Sequence, residues 1–398
     1  MRKDLEKYDK LITAFLVIIA FILGIGWWFA EEKSEPVYLN KIDKLMFARE
    51  NKSPAFVLTL PDKLKAQEKS KLDEVDVDAV VKEEPADDVV EEVFSLEKLF
   101  ADIPNIHALP NKAPTISLNQ VAFDEELTEK PKDQKLANAN RLLPKTSEKG
   151  NRPWIVYGGS AKVEPNFKKI AVVIAGVGFD ANLANKMAKT LNSEISFSFT
   201  PYATNPKDNI PSARDAGHET YVDMLLSSKD FLKEDSGPLS MTLNLTIEES
   251  IERLNETLAT PAPIGGVVIR DGVASEANRI ILSSLLSEIK NRGLLMIDAT
   301  LSDMVSKINV EGLPRRKADI VIHKDLPKDS IEALLKAAEN IAFDKGQVLI
   351  VVDPKPIIVM AIYNWVKTFS PQVSYEEAKT TDITKPFALV PASNLVVE

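Results

Sequence analysis

Five side chains able to do chemistry stand in or at the ends of apolar runs that read as strands. Asp223 lies within HETYVDMLL, Arg270 closes IGGVVIRD, Asp298 closes LLMID, His323 closes ADIVIH and Asp353 closes QVLIVVD. In a parallel β/α barrel the C-terminal strand ends converge on one mouth, where active sites are built. Three carboxylates, one imidazole and one guanidinium are therefore candidates for a shared cleft. Such groups can move protons, and two carboxylates at a suitable separation serve glycoside hydrolysis. Strand ends are equally where polar residues begin and helices are capped, so position alone weighs the same for either role.

A second motif is AGVGFDA. Gly176, Gly178 and Ala181 match G-x-G-x-x-G/A between a strand and a helix, the setting of a dinucleotide fingerprint. The next strand ends in Phe199-Thr200-Pro201, with no carboxylate to hold a ribose hydroxyl, and Asp180 stands where pyrophosphate charge would approach. A tight strand-to-helix turn is the reading these residues favour.

The elements that must position these groups begin after Phe167. KKIAVVIAGVG reads as a buried strand, and Asp180 can cap a helix with the stripe Leu183, Met187 and Leu191. EISFSFTPY and HETYVDMLL read as strands two and three. Thr246 and Glu249 form a capping box before Ile251 and Leu254. IGGVVIRD is a further strand, followed by a helix over 276–291 that stops at Gly293. LLMIDAT, ADIVIH and QVLIVVDP complete the strands, with helical segments between them. This alternation implies parallel strands with helical crossovers. The expected fold is α/β, a distorted (β/α) barrel of about seven parallel strands over 167–398. PFALVPASN reads either as a last strand or as a loose tail.

Composition narrows the chemistry. The chain has 398 residues, with 49 Lys and Arg against 59 Asp and Glu, a formal charge of −10. An acidic balance argues against a nucleic-acid partner, which needs a basic face for the phosphates. Cysteine is absent, which removes disulfides, Cys-ligated zinc, Fe–S clusters and a thiol nucleophile. The three histidines, His107, His218 and His323, are too few for a three-His site unless all converge.

Ahead of the barrel, residues 1–30 read as a cytoplasmic tip and a membrane anchor. Leu11–Ala30 is twenty residues without a charge. As a helix it would span roughly 30 Å, the thickness of the bilayer hydrocarbon. Trp27 and Trp28 mark its far interface, and Arg2, Lys3, Lys7 and Lys10 precede it. The expected localisation is a single-pass cytoplasmic (inner) membrane protein, N-terminus inside, with the barrel in the periplasm or outside. Signal-peptide cleavage after Ala30 would put Trp28 at the −3 position, where a small residue is needed. Residues 31–166 read as an acidic, proline-containing linker, mostly disordered. Leu72–Glu97 carries eleven Asp or Glu against the single Lys82, and prolines recur from Pro36 to Pro144. Within it Glu91–Phe100 has Val93, Leu96 and Phe100 at helical spacing, the best candidate for a partner-binding helix.

The order of several segments resembles the divergent polysaccharide deacetylase family of bacterial envelope proteins. Those segments are RPWIVYGG (Arg152–Gly159), IAVVIAGVG, GHE (Gly217–Glu219), GPLS (Gly237–Ser240), MID (Met296–Asp298), RRKADIVIH and the D-P of VVDP. The resemblance runs from about Pro153 to Ala378 and implies a deacetylase-like β/α barrel. It also implies an Asp–His–His divalent-metal site that activates water against an N-acetyl group, with an Asp as base. This chain departs from that site. Ala175 and Gly176 stand where the family has paired Asp, Asp223 and Arg270 where it has histidines, His323 for a later Asp and Asp353 for the histidine of G-H-P; Asp298 is retained. A guanidinium cannot deprotonate and repels a divalent cation. These substitutions imply that the ancestral metal, such as zinc, is lost and that no cofactor is bound. The expected role is a membrane-tethered carbohydrate-binding or envelope-interaction module with an envelope polysaccharide or protein partner. The alternatives are an active hydrolase with a rewired site and an architectural envelope protein.

Overall fold

The computed structural model describes residues 105–227, 237–242, 245–270, 279–372 and 384–396. The expected anchor Leu11–Ala30 and the segment Glu91–Phe100 lie outside the described residues. Among the described residues no helix is long and apolar enough to cross a membrane.

The strands in chain order are β1 (Thr128–Glu129), β2 (Leu143–Pro144), β3 (Lys168–Val177), β4 (Ser196–Phe199), β5 (Thr220–Leu225) and β6 (Gly266–Arg270). They continue as β7 (Leu295–Asp298), β8 (Arg315–Lys317), β9 (Ile320–Ile322), β10 (Gln347–Val352) and β11 (Phe387–Leu389). The helices are α1 (Gln134–Asn138), α2 (Pro153–Val156), α3 (Ala181–Thr190), α4 (Pro206–Asp215), α5 (Ile247–Leu258), α6 (Arg279–Asn291), α7 (Met304–Lys307), α8 (Lys328–Lys345) and α9 (Pro356–Val366). β1 and β2 pair antiparallel.

The large sheet runs β8-β7-β6-β5-β4-β3-β10-β9, and β11 pairs with β3 outside that path. All of its pairings are parallel. The fold is α/β, a curled parallel half-barrel of eight strands rather than about seven. The extra strand arises because RRKADIVI splits at Ala318-Asp319. Its first half pairs with β7 and its second with β10, so the two edge strands are neighbours in sequence. PFALVPASN contributes β11 and a 3-10 turn over Ala392–Leu395, so it is ordered.

Side chains alternate across each strand. Ile170, Val172 and Ile174 of β3, Phe197 and Phe199 of β4, and Val348, Ile350 and Val352 of β10 face α3, α8 and α9. Val222, Met224, Val267, Ile269 and Met296 face α5 and α6. The opposite parity, Ala171, Val173, Ala175, Tyr221, Val268, Leu295, Ile297, Leu349 and Val351, lines the inner face. There Trp154 of α2 and Val390, Ala392 and Leu395 of the C-terminal segment pack against it. The helix starts match their sequence signals. Asp180 accepts from Leu183 N at 3.0 Å, and Thr246 and Glu249 exchange both capping-box hydrogen bonds.

The ordered fold begins well before residue 167, which corrects the reach of the linker. Within 105–166, Ile106, Leu118, Leu127, Leu143, Trp154 and Tyr157 are buried. The prolines there serve local geometry: Pro153 opens α2, and Pro144 ends β2. Acidic, proline-rich composition conceals this because the buried residues are spaced singly, without helical or strand period.

Candidate functional site

Strand parity decides which of the five candidates meet. Asp223 continues the inner row of β5 after Tyr221, Arg270 that of β6 after Val268, and Asp353 follows Val351 beyond β10. The Arg270 guanidinium joins them. Its Nη1 donates to Asp223 Oδ2 at 3.0 Å, and its Nη2 donates to Asp353 Oδ1. Asp223 is fully buried, and the Arg270 side chain is 13 % exposed. Ser198, on the inner parity of β4, donates its hydroxyl to Asp223 Oδ1. The backbone N–H of Lys324 donates to Asp353 Oδ2 at 2.7 Å. His323 stands beside this group, with Nδ1 4.0 Å from Asp353 Oδ2 and a side chain 40 % exposed.

Asp298 lies elsewhere. It shares the outer parity of β7 with Met296, which faces the helices, and is 1 % exposed. Thr300 N and Oγ1 donate to its Oδ1 at 3.0 and 2.6 Å, and Ser306 of α7 donates to Oδ2 at 2.6 Å. Its carboxylate ties the loop after β7 to α7. Four candidates therefore gather on the inner face, and the fifth sits on the other side of the sheet.

Gly176 completes the arrangement. Its φ is +84°, a left-handed conformation that favours glycine, and a Cβ built there would fall 2.5 Å from Arg270 Nη1. The guanidinium thus packs over a bare backbone, at the position where the resemblance implies a carboxylate. The same contact fills the turn of AGVGFDA. A Cβ on Gly178 would meet Ala203 Cβ at 2.6 Å, so both glycines serve close internal packing.

The donor set does not fit a divalent cation. The two inner carboxylates are spent on one guanidinium, which would repel a second positive charge. Gly176 supplies no ligand, and Asp298 faces away. Among the described residues no group of three or more His, Cys, Asp or Glu is placed to hold a metal ion.

A second buried polar group organises the other end of the inner face. Glu219 is 2 % exposed and accepts from Gly159 N at 2.8 Å, Tyr221 Oη at 2.7 Å, Ser196 Oγ at 3.1 Å and Ser393 N at 3.2 Å; the Ser393 hydroxyl also donates to it. Burial beside Glu219 pushes the Tyr221 hydroxyl well above its ordinary pKa. Arg214, 1 % exposed, donates to Thr220 Oγ1 at 3.0 Å and to the carbonyls of Gln120 and Val121, and burial lowers its pKa to about 10. These bonds fasten 120–159 and the C-terminal 3-10 turn to β5. Residue type alone does not single out Glu219, whereas Ser196 and Ser198 were visible as polar residues alternating with Phe197 and Phe199.

The sequence profile described as divergent polysaccharide deacetylase matches residues 172–378, and the chain belongs to that family. None of the curated proteins compared matches it. Among solved structures, an uncharacterized protein from Agrobacterium tumefaciens C58 shares 22 % identity with a TM-score of 0.55, over 64 % of this chain and all of that one. That likeness shows the fold. A putative cellobiose-phosphate cleavage protein from Enterococcus faecalis V583 has 13 % identity and a TM-score of 0.38, covering 58 % of this chain and all of that one. The catalytic domain of a peptidoglycan N-acetylglucosamine deacetylase from Eubacterium rectale ATCC 33656 has 13 % identity and a TM-score of 0.32, covering 57 % and 96 %. Both are too distant to support an argument.

Proposed function

We propose that this chain is a non-hydrolytic member of its family, in which a fixed guanidinium has replaced the catalytic cation. The observation that carries this reading is Arg270, bonded to Asp223 and Asp353 at once over Gly176. A hydrolytic pair of carboxylates needs one acid and one base free to exchange protons with substrate. Here both carboxylates accept hydrogen bonds from the same permanently charged guanidinium, so neither is left free for substrate.

The role left to such a mouth is binding. His323 and the rim of the Arg270 cluster offer donors and acceptors to hydroxyl groups, and Phe179, 65 % exposed in the turn after β3, offers a ring face. We take the ligand to be an envelope glycan and the module to be tethered outside the cytoplasmic membrane through Leu11–Ala30. The uncharged run of twenty residues, preceded by Arg2, Lys3, Lys7 and Lys10, supports that placement.

The test uses the full chain purified in detergent, incubated with peptidoglycan fragments and acetylated chito-oligosaccharides in the presence of zinc. The expected result is binding, weakened by Phe179→Ala, with neither acetate nor new reducing ends released. Acetate release that scales with protein and disappears in Asp353→Asn would overturn the non-hydrolytic reading, and failure to bind any fragment would overturn the binding role.

A further inference from the structure

A groove of about 590 Å³, sharing no lining residue with the Arg270 cluster, opens between α1, α5, the turn after β4 and the GPLS segment. Its size falls in the range of small-molecule sites, ~300–1,000 Å³. Arg141, Arg253 and Lys135 line it together with Asp133 and Glu256, so cations outnumber acids by three to two.

Backbone hydrogen bonds and one of the groove-lining charges, Arg253, hold the walls in place. Tyr202 Oη accepts from Leu239 N at 2.7 Å, and a Cβ on Gly237 (φ +87°) would fall 2.5 Å from the same oxygen. Arg253 Nη1 donates to Ser240 O at 2.6 Å, which fixes the guanidinium against the GPLS segment. Elsewhere in the lining Arg141 N donates to Leu136 O, and the next residue, Leu142, exchanges two backbone hydrogen bonds with Thr260. Asn140, just before it, is the one non-glycine residue with positive φ (54°) among the described residues. The Arg141 backbone is therefore fixed, while its guanidinium makes no hydrogen bond or ion pair with the described residues.

A guanidinium with no hydrogen bond or ion pair to the described residues, lining the same groove as a second one, is suited to recognising a planar or tetrahedral anion through its N–H donors. Tyr202, Leu136, Leu239 and Pro238 also line the groove, flat or apolar surfaces suited to a ring. We propose that this groove binds a small molecule carrying a carboxylate or a phosphate on a ring body. The claim is independent of whether the Arg270 site hydrolyses or binds glycan.

Calorimetric titration of the full chain with glucuronate, glucose 6-phosphate, glucose and inorganic phosphate tests it. At least one of the two charged sugars should bind about tenfold or more tighter than glucose and tighter than phosphate, and which one does so identifies the anion. Arg141→Ala, which removes a side chain with no hydrogen bond or ion pair to the described residues, should abolish that preference without changing the folded state by circular dichroism. Glu256→Gln should tighten binding, an effect that a purely structural role for the groove would not give. Equal binding of charged and neutral sugars, binding of bare phosphate as tight as the sugars, no binding at all, or preference that survives Arg141→Ala would each overturn the proposal.

Discussion

Arg270 lies against the bare backbone of Gly176: a Cβ at residue 176 would stand 2.5 Å from the guanidinium Nη1. The two positions are coupled sterically, because a side chain at 176 and the guanidinium of 270 cannot share the space. Gly176→Ala adds both this clash and the strain of φ +84°. It should cost about 1–3 kcal/mol in urea unfolding, above the usual penalty for a left-handed alanine. Adding Arg270→Ala should recover part of the cost, a non-additivity that a double-mutant cycle reads directly.

Removing the guanidinium alone leaves Asp223 and Asp353 facing each other in a nearly dry pocket. Arg270→Met should therefore destabilise the fold by about 3–5 kcal/mol. Asp223→Asn in the same background should restore much of the loss, since the amide still accepts from Ser198 and carries no charge. Arg270→Lys should rescue only in part, because an ammonium lacks the fork that reaches both carboxylates.

Glu219 should be the most sensitive single carboxylate for stability. Its loss leaves Gly159 N, Ser196, Tyr221 and Ser393 without their acceptor and removes a negative charge that acts on buried Arg214. Glu219→Ala should cost more than about 3 kcal/mol, and proteolysis should then release the C-terminal segment first.

His218 sets a pH dependence. The ring is fully buried and stacked on Phe197 at 4.4 Å, with Nδ1 2.7 Å from Ile195 O and Nε2 2.9 Å from Ala188 O. Burial lowers its pKa, and the two carbonyl contacts oppose but do not reverse that. Below an unfolded value of about 6.5 the unfolded chain takes up a proton that the folded one refuses, so stability falls as pH drops from about 6.5 toward the lower folded value. His218→Gln should be less stable at neutral pH but should lose less between pH 7 and 5.5, measured as urea midpoints. An equal slope in both proteins would contradict this assignment.

Much of this arrangement can be read in the sequence, with one systematic gap. The alternation of apolar runs with capped amphipathic helices announces the parallel sheet, and Thr246-Glu249 and Asp180 mark their helix starts. Strand ends locate Arg270, His323 and Asp353, and Asp223 stands out as a carboxylate within a strand. Parity is what the sequence conceals: both faces of β7 are apolar, so nothing in LLMID says that Asp298 turns toward α7 instead of inward. The split of RRKADIVI into β8 and β9 is hidden for a related reason, since one extended run serves two partners. Gly176 reads as a turn residue until Arg270 is seen beside it.

If Arg270 occupies the ground a catalytic cation would need, the full chain should take up no metal. This is decided by its zinc content after purification in detergent, equilibration with excess zinc, desalting and mass spectrometry. The expected result is no stoichiometric zinc and no change in the unfolding midpoint on adding the metal. One zinc retained per chain, with a matching rise in stability that Asp223→Asn or Asp353→Asn abolishes, would contradict the account.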